Sequence, residues 1–136
     1  MKMLLFLARE FAFRPHEKRL ADVDDSDAAE TVRDTAVVFV HTEPGDLERR
    51  SKVVTRAAKN IKWLCGKVDW RRVVLHSFNH LAVQKSPPED ARTLLADIAE
   101  RLRSVDYEVF ETPFGYVCEW ELSVIGPSLG KVFKEV

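Results

Sequence analysis

The sequence has few cysteines. Its two, Cys65 and Cys118, lie far apart and neither has a partner at metal-ligand spacing. That excludes a zinc knuckle and a disulfide framework, and a reducing compartment is the expected setting. Long hydrophobic runs are also missing. The opening Met1-Lys2-Met3-Leu4-Leu5-Phe6-Leu7-Ala8 stops at Arg9-Glu10, short of the apolar stretch of a signal peptide and far short of the roughly 20 residues of a membrane span. Charge of one sign is lacking as well. The 21 Lys and Arg against 22 Asp and Glu leave a net −1, so nothing attracts polyanions globally and any RNA contact must be local. The five glycines and six prolines are scattered, which leaves no low-complexity segment, internal repeat or interdomain linker.

What is present is the balance of a folded protein, with 46% hydrophobic and 32% charged residues over a length of 136. A single soluble, cytoplasmic domain spanning 1–136 is expected, large enough to bury its own core. Met1–Ala8 reads as a buried strand, with Phe11 and Phe13 in a second short strand before Pro15. Asp22, Asp24, Asp25, Asp27 and Glu30 mark a solvated loop, since the Gly and distal Glu of a calcium loop are absent. Ala36–Val40 is a continuous β-branched run, expected at the centre of a sheet covered on both faces.

Val53, Val54, Ala57, Ile61, Leu64 and Cys65 recur at helical spacing after Pro44-Gly45, giving a helix from about 46 to a C-cap at Gly66. Val73-Val74-Leu75 opens another strand that runs through His76-Ser77-Phe78. Ser86-Pro87-Pro88-Glu89 then supplies a cap, a first-turn proline and an acid, starting a second helix that carries Ala91, Leu94, Leu95, Ile98 and Leu102. Tyr107–Glu111 and Tyr116–Leu122 alternate on either side of Thr112-Pro113-Phe114-Gly115, the pattern of a hairpin. Gly126-Pro127-Ser128 is a turn, with Leu129, Val132 and Phe133 in a short closing helix. The expected fold class is α/β, a layered sheet with two main helices and a short C-terminal helix.

Chemistry-bearing residues are sparse. A Gly-x-Ser-x-Gly elbow and a phosphate loop are both absent, and Cys118 has no assigned base. His80 follows a strand that leaves the sheet, where ligands collect in α/β folds. It reads either as a proton shuttle or as a histidine pinning its own loop, and patterning favours the second. His76, inside an apolar run, reads as a satisfied core histidine. Lys52, Arg56 and Lys59 stand about one helical turn apart and read as a solvated helix face. Trp63, Trp70 and Trp120 read as core or rim residues.

Ser77-Phe78-Asn79-His80-Leu81, the helix-opening Pro87, and Thr112-Pro113-Phe114-Gly115-Tyr116 together resemble the N-terminal editing domain of archaeal threonyl-tRNA synthetases. The likeness extends over the whole chain. It implies a fold like that of D-aminoacyl-tRNA deacylases, a homodimer, continuity with a synthetase catalytic body, and hydrolysis of serine misattached to threonine tRNA. It further implies that the 3′ end of aminoacylated tRNA is the partner, with no cofactor and no metal. In the family, water attacks the ester with help from the substrate's ribose hydroxyl, near a His and a Lys. Positioning and charge stabilisation suffice for such an activated ester.

By this resemblance His80 takes the family histidine, and Ser77, Phe78, Asn79, Phe114, Gly115, Tyr116 and Val117 take the pocket positions. The departures are chemical. The family continues Pro-Phe-Gly-Tyr-Tyr-Lys, whereas this chain has Val117 for the second tyrosine and Cys118 for the lysine. A thiol cannot act as a cation. Gly126-Pro127-Ser128 stands for Gly-His-Pro, and Lys131 for an acidic residue. Losing one oxyanion-stabilising donor costs roughly 10²–10³ in rate, so the expectation is an editing-type domain whose deacylase site is degenerate. The alternatives are an active deacylase that uses His80 with altered specificity, or a non-catalytic dimerisation module.

Overall fold

The computed structural model describes residues 1–136. Six strands and two helices follow in the order β1 (Lys2–Lys18), β2 (Glu30–His41), α1 (Arg50–Gly66), β3 (Arg72–Ser77), α2 (Pro88–Arg103), β4 (Glu108–Glu111), β5 (Tyr116–Val124) and β6 (Lys131–Glu135). The sheet order is β4-β3-β2-β1-β5, with β6 paired to the first half of β1. The pairs β2/β3 and β3/β4 are parallel, each joined by a crossover helix as parallel neighbours require. β1 runs antiparallel to β2, β5 and β6. The result is an α/β fold with a mixed sheet and two main helices.

Both helices cover one face. Val53, Ala57, Ile61 and Leu64 of α1 and Leu94, Ile98 and Leu102 of α2 bury against Met3, Leu5, Leu7, Val38, Val40, Val73 and Leu75. Each of the valine, leucine, isoleucine and methionine side chains among them stabilises the fold by about 1.5–3 kcal/mol relative to exposure. The other face is closed by the sheet itself. Trp120 pairs with Phe13, which pairs with Glu30. Phe39 stands nine residues further along β2, roughly 30 Å away in a flat sheet at about 3.3 Å per residue. The Phe39 and Trp120 rings nevertheless meet at 5.4 Å, so β1 and β5 curl back over the sheet. Phe11, Phe13, Val32, Val37, Phe39 and Val74 fill the fold.

The curl originates at Arg9 and Asp34. Asp34 adopts a left-handed conformation with φ 51°, and β1 shifts register against β5 between Ala8 and Glu10. Before this point Leu4, Phe6 and Ala8 face the inner side, and after it Phe11 and Phe13 do. The change of phase splits the alternation into two apparent strands, yet the backbone continues as one. Pro15 falls beyond the last β1/β2 pair, Phe13 with Glu30, where a missing N–H is tolerated.

Four further expectations are corrected. The two alternating segments around Thr112–Gly115 are not a hairpin: β4 joins β3 at one edge, and β5 joins β1 at the other. Alternation shows which side chains share a face but does not name the neighbouring strand. The closing helix is a single 3-10 turn, Ser128–Gly130, leading into β6. Ser86 does not cap α2. Its hydroxyl bonds Thr42 instead, Pro87 occupies the N-cap position, and Pro88 begins the helix. Gly66 is the last residue of α1, whose C-cap Lys67 is right-handed. The other boundaries of that helix follow the sequence closely, apart from a 3-10 turn at Leu47–Arg49 in place of its first turn.

Candidate functional site

The two motif segments meet at the end of the sheet where β2, β3 and β4 terminate. Val40 pairs with Ser77 as the last rung of β2/β3, and the Phe78 N–H donates to the Val40 carbonyl at 2.9 Å. Just past β4, the Thr112 N–H donates to the Leu75 carbonyl at 3.1 Å. Side chains then alternate along the departing strand. On the inner side, His76 and Phe78 lie against Phe39 at 4.9 Å each, and the exposed His80 meets the edge of Phe78 at 5.0 Å. On the helix side, Ser77 opens on a crevice of about 280 Å³ lined also by Leu75, Arg92, Leu95, Thr112 and Phe114.

His76 is buried and shares a 2.8 Å hydrogen bond with Thr112 Oγ1. Burial pushes its imidazole down to about 4. His80 makes no hydrogen bond that would pin its loop. That role belongs to His41, a fully buried residue that sequence patterning did not single out. Its Nε2 lies 2.7 Å from the Gln84 carbonyl and so carries the proton, while Nδ1 accepts the Leu81 N–H at 3.3 Å. Thr42 then accepts the Ser86 N–H at 3.0 Å, and its hydroxyl meets that of Ser86 at 2.6 Å. The irregular stretch from Asn79 to Ser86 is thus stapled to the end of β2. Asn79 Oδ1 is buried without a hydrogen-bond partner.

The second segment divides its work. Phe114 and Thr112 line the crevice, whereas Gly115 and Tyr116 hold the acidic loop. Gly115 sits at φ 83° and its carbonyl accepts the N–H groups of Arg19 at 2.7 Å and Leu20 at 3.2 Å. Tyr116 Oη accepts the Ser26 N–H at 2.8 Å. Val117 is exposed on the opposite face of β5 from Cys118. Cys118 pairs with Pro15 and points to the same side as Trp120, half-buried, with burial pushing its thiol up. It is therefore a neutral group at neutral pH. Lys131 opens β6, and its ammonium reaches the Ile125 carbonyl at 3.4 Å. No three His, Cys, Asp or Glu side chains gather at metal-holding distance.

One cation does reach the crevice. Arg92, one turn into α2, lines it beside Ser77 and Phe114. Glu111, on the same rim, is engaged by Arg103 at 3.3 Å. No spacing rule announces Arg92. The only available signal was its place next to Ala91 and ahead of Leu94 and Leu95, on the edge of the buried face of α2.

The fold resembles that of the solved c-Myc DNA Unwinding Element Binding Protein, with a TM-score of 0.71 and 12% identity over 100% of this chain and 99% of that one. Three threonine–tRNA ligases are each 30% identical. The match to that of Hyperthermus butylicus covers 97% of this chain, and those to the ligases of Thermofilum pendens and Thermococcus kodakarensis cover all of it. The chain spans 22% of the length of each of these relatives. Residues 1–136 match throughout the family described as the archaea-specific editing domain of threonyl-tRNA synthetase, and the chain belongs to that family.

Proposed function

We propose that this domain receives the aminoacylated 3′ end of threonine tRNA at the crevice between Ser77 and Phe114, with a reduced capacity to hydrolyse a misattached serine. The observation that carries the reading is Cys118. A half-buried thiol, pushed further toward neutrality by burial, occupies the position where the family resemblance calls for lysine. Ser77 and Phe114, one from each motif segment, line the crevice, whereas Cys118 stands outside that lining, on β5 beside Pro15, and brings no ammonium that could reach in to stabilise developing negative charge. In this reading the domain is continuous with a synthetase catalytic body and pairs with a second copy.

The test is hydrolysis of seryl-tRNA(Thr). The wild-type chain is expected to be slow, and Cys118→Lys to raise the rate by roughly 10², the scale of one charge-stabilising donor. A fast wild-type reaction that His80→Ala abolishes and Cys118→Lys leaves unimproved overturns the reading. Arg92 favours a second one, an active deacylase of altered specificity, because Arg92 itself lines the crevice and supplies a cation there. A panel of mischarged and D-aminoacyl tRNAs separates the two: turnover of any member that is lost in Arg92→Met supports the second reading.

A further inference from the structure

We infer that the outer face of α1 is a docking surface for an RNA phosphate backbone. The helix Arg50–Gly66 contains no aspartate or glutamate and carries Arg50, Lys52, Arg56, Lys59 and Lys62. In a chain with net charge −1, this is a segregation of charge that composition conceals. Lys52, Arg56, Lys59 and Trp63 follow at intervals of four, three and four residues, which places them on one line along a helix. Lys67, just past the helix end, continues it. The row is about 20 Å long at about 1.5 Å per residue.

Two further observations set this row apart from an ordinary solvated face. Its cations are uncompensated: Arg50, off the row, is tied to Asp97, whereas Lys52, Arg56, Lys59 and Lys67 have no carboxylate within 4.0 Å. The row also ends on an aromatic platform. Trp63 is 41% exposed, with Lys67 Nζ at 5.6 Å and, from β6, Lys134 Nζ at 4.7 Å from its ring centroid. Clustered free cations around an exposed indole fit the phosphates and sugar-base faces of RNA. A lipid surface would ask for an apolar face, and Trp63 is the row's only apolar member.

Placement supports a tRNA stem in particular, which rests on the reading that the domain handles a tRNA end. α1 is the crossover between parallel β2 and β3. It therefore starts at the sheet end where Val40 and Ser77 lie and returns to the opposite end, where β3 begins. A stem whose 3′ terminus enters the crevice would find the row running away from it.

The experiment uses the 136-residue chain, a threonine tRNA transcript and a short RNA hairpin, with affinity read by fluorescence anisotropy across a salt series. The variant is Lys52→Gln/Arg56→Gln/Lys59→Gln/Lys67→Gln, whose exposed positions leave the fold intact, as unchanged thermal unfolding verifies. Its affinity is expected to fall at least tenfold, and the slope of log affinity against log salt to drop by about 3, from up to about 0.9 per lost phosphate contact. Equal affinity and slope for variant and wild type overturn the inference, as does tighter binding of polyglutamate than of RNA by the wild type, which would mark an acidic protein partner. Binding of a non-hydrolysable seryl-adenosine analogue reports the crevice alone. The row variant keeps it, and its absence from the wild type refutes the crevice reading while the RNA measurement still decides the row.

Discussion

Substituting His76 should remove a defined part of the protein's sensitivity to acid. The imidazole is buried against Phe39 and bonded to Thr112, and burial pushes it down to about 4. In the unfolded chain the same group titrates near its ordinary value of about 6.5. As pH falls below about 6.5, the unfolded state takes up a proton that the folded state refuses, so stability declines on acidification. The decline ends near pH 4, where the folded imidazole also protonates. Between about pH 7 and pH 5 the two titrations differ enough to remove about 2 kcal/mol.

This window is separable from the carboxylates. For Glu43, burial pushes the carboxyl up, but hydrogen bonds from Lys2 and the Met1 ammonium prevail and hold it at about 2. Its contribution is thus lost only at lower pH, between its ordinary value and that one. The variant is His76→Phe, which keeps a ring beside Phe39. It leaves the buried Thr112 hydroxyl without its partner, costing about 1–3 kcal/mol at every pH. Urea unfolding at pH 7 and pH 5 should therefore show a lower stability for the variant at pH 7, with a pH dependence smaller by about 2 kcal/mol. A variant that retains the full wild-type difference between the two pH values refutes the argument.

Gly115→Ala should destabilise the fold by about 1–2 kcal/mol from the left-handed backbone alone. Crowding adds to this, since a Cβ there would lie 2.9 Å from Val23 Cγ2 and 3.2 Å from Leu20 Cβ; an unchanged thermal midpoint contradicts it. His41→Leu strands the Leu81 N–H and the Gln84 carbonyl, at about 1–3 kcal/mol each, and should speed amide exchange at Leu81 more than at α1 core positions. Uniform exchange across both regions would show that the loop does not depend on this staple. Thiol labelling at mildly alkaline pH should reach the half-buried Cys118 slowly in the folded protein. Cys65, fully buried and pushed up to about 11 chiefly by that burial, should react only on unfolding, so labelling of both at equal rates rejects that picture.

Much of the fold is legible in local patterns. The β-branched run Ala36–Val40 does sit at the centre of the sheet, covered by helices on one side and by the curl on the other. The apolar spacing of both helices identifies the residues that bury. Failures occur where a local pattern has two tertiary meanings. Alternation on both sides of a Pro-Phe-Gly turn looks like a hairpin, but parallel pairing to β3 claims the first segment and the curl of β1 claims the second. A serine ahead of two prolines looks like a cap, but the hydroxyl of Thr42 is a closer partner.

The candidate site divides in the same way. The residue types at Ser77–Leu81 and Pro113–Cys118, including a thiol rather than a cation at Cys118, are determined by the sequence and need no coordinates. Only the tertiary structure decided that His41 holds the loop, that Gly115 and Tyr116 anchor the acidic segment, that Arg92 reaches the crevice, and that the free cations of α1 line up with Trp63 and Lys134. Each of these depends on side chains far apart in the chain coming within a few ångströms, and hydrogen bonding and charge act through that distance, whatever the order of residues along the backbone.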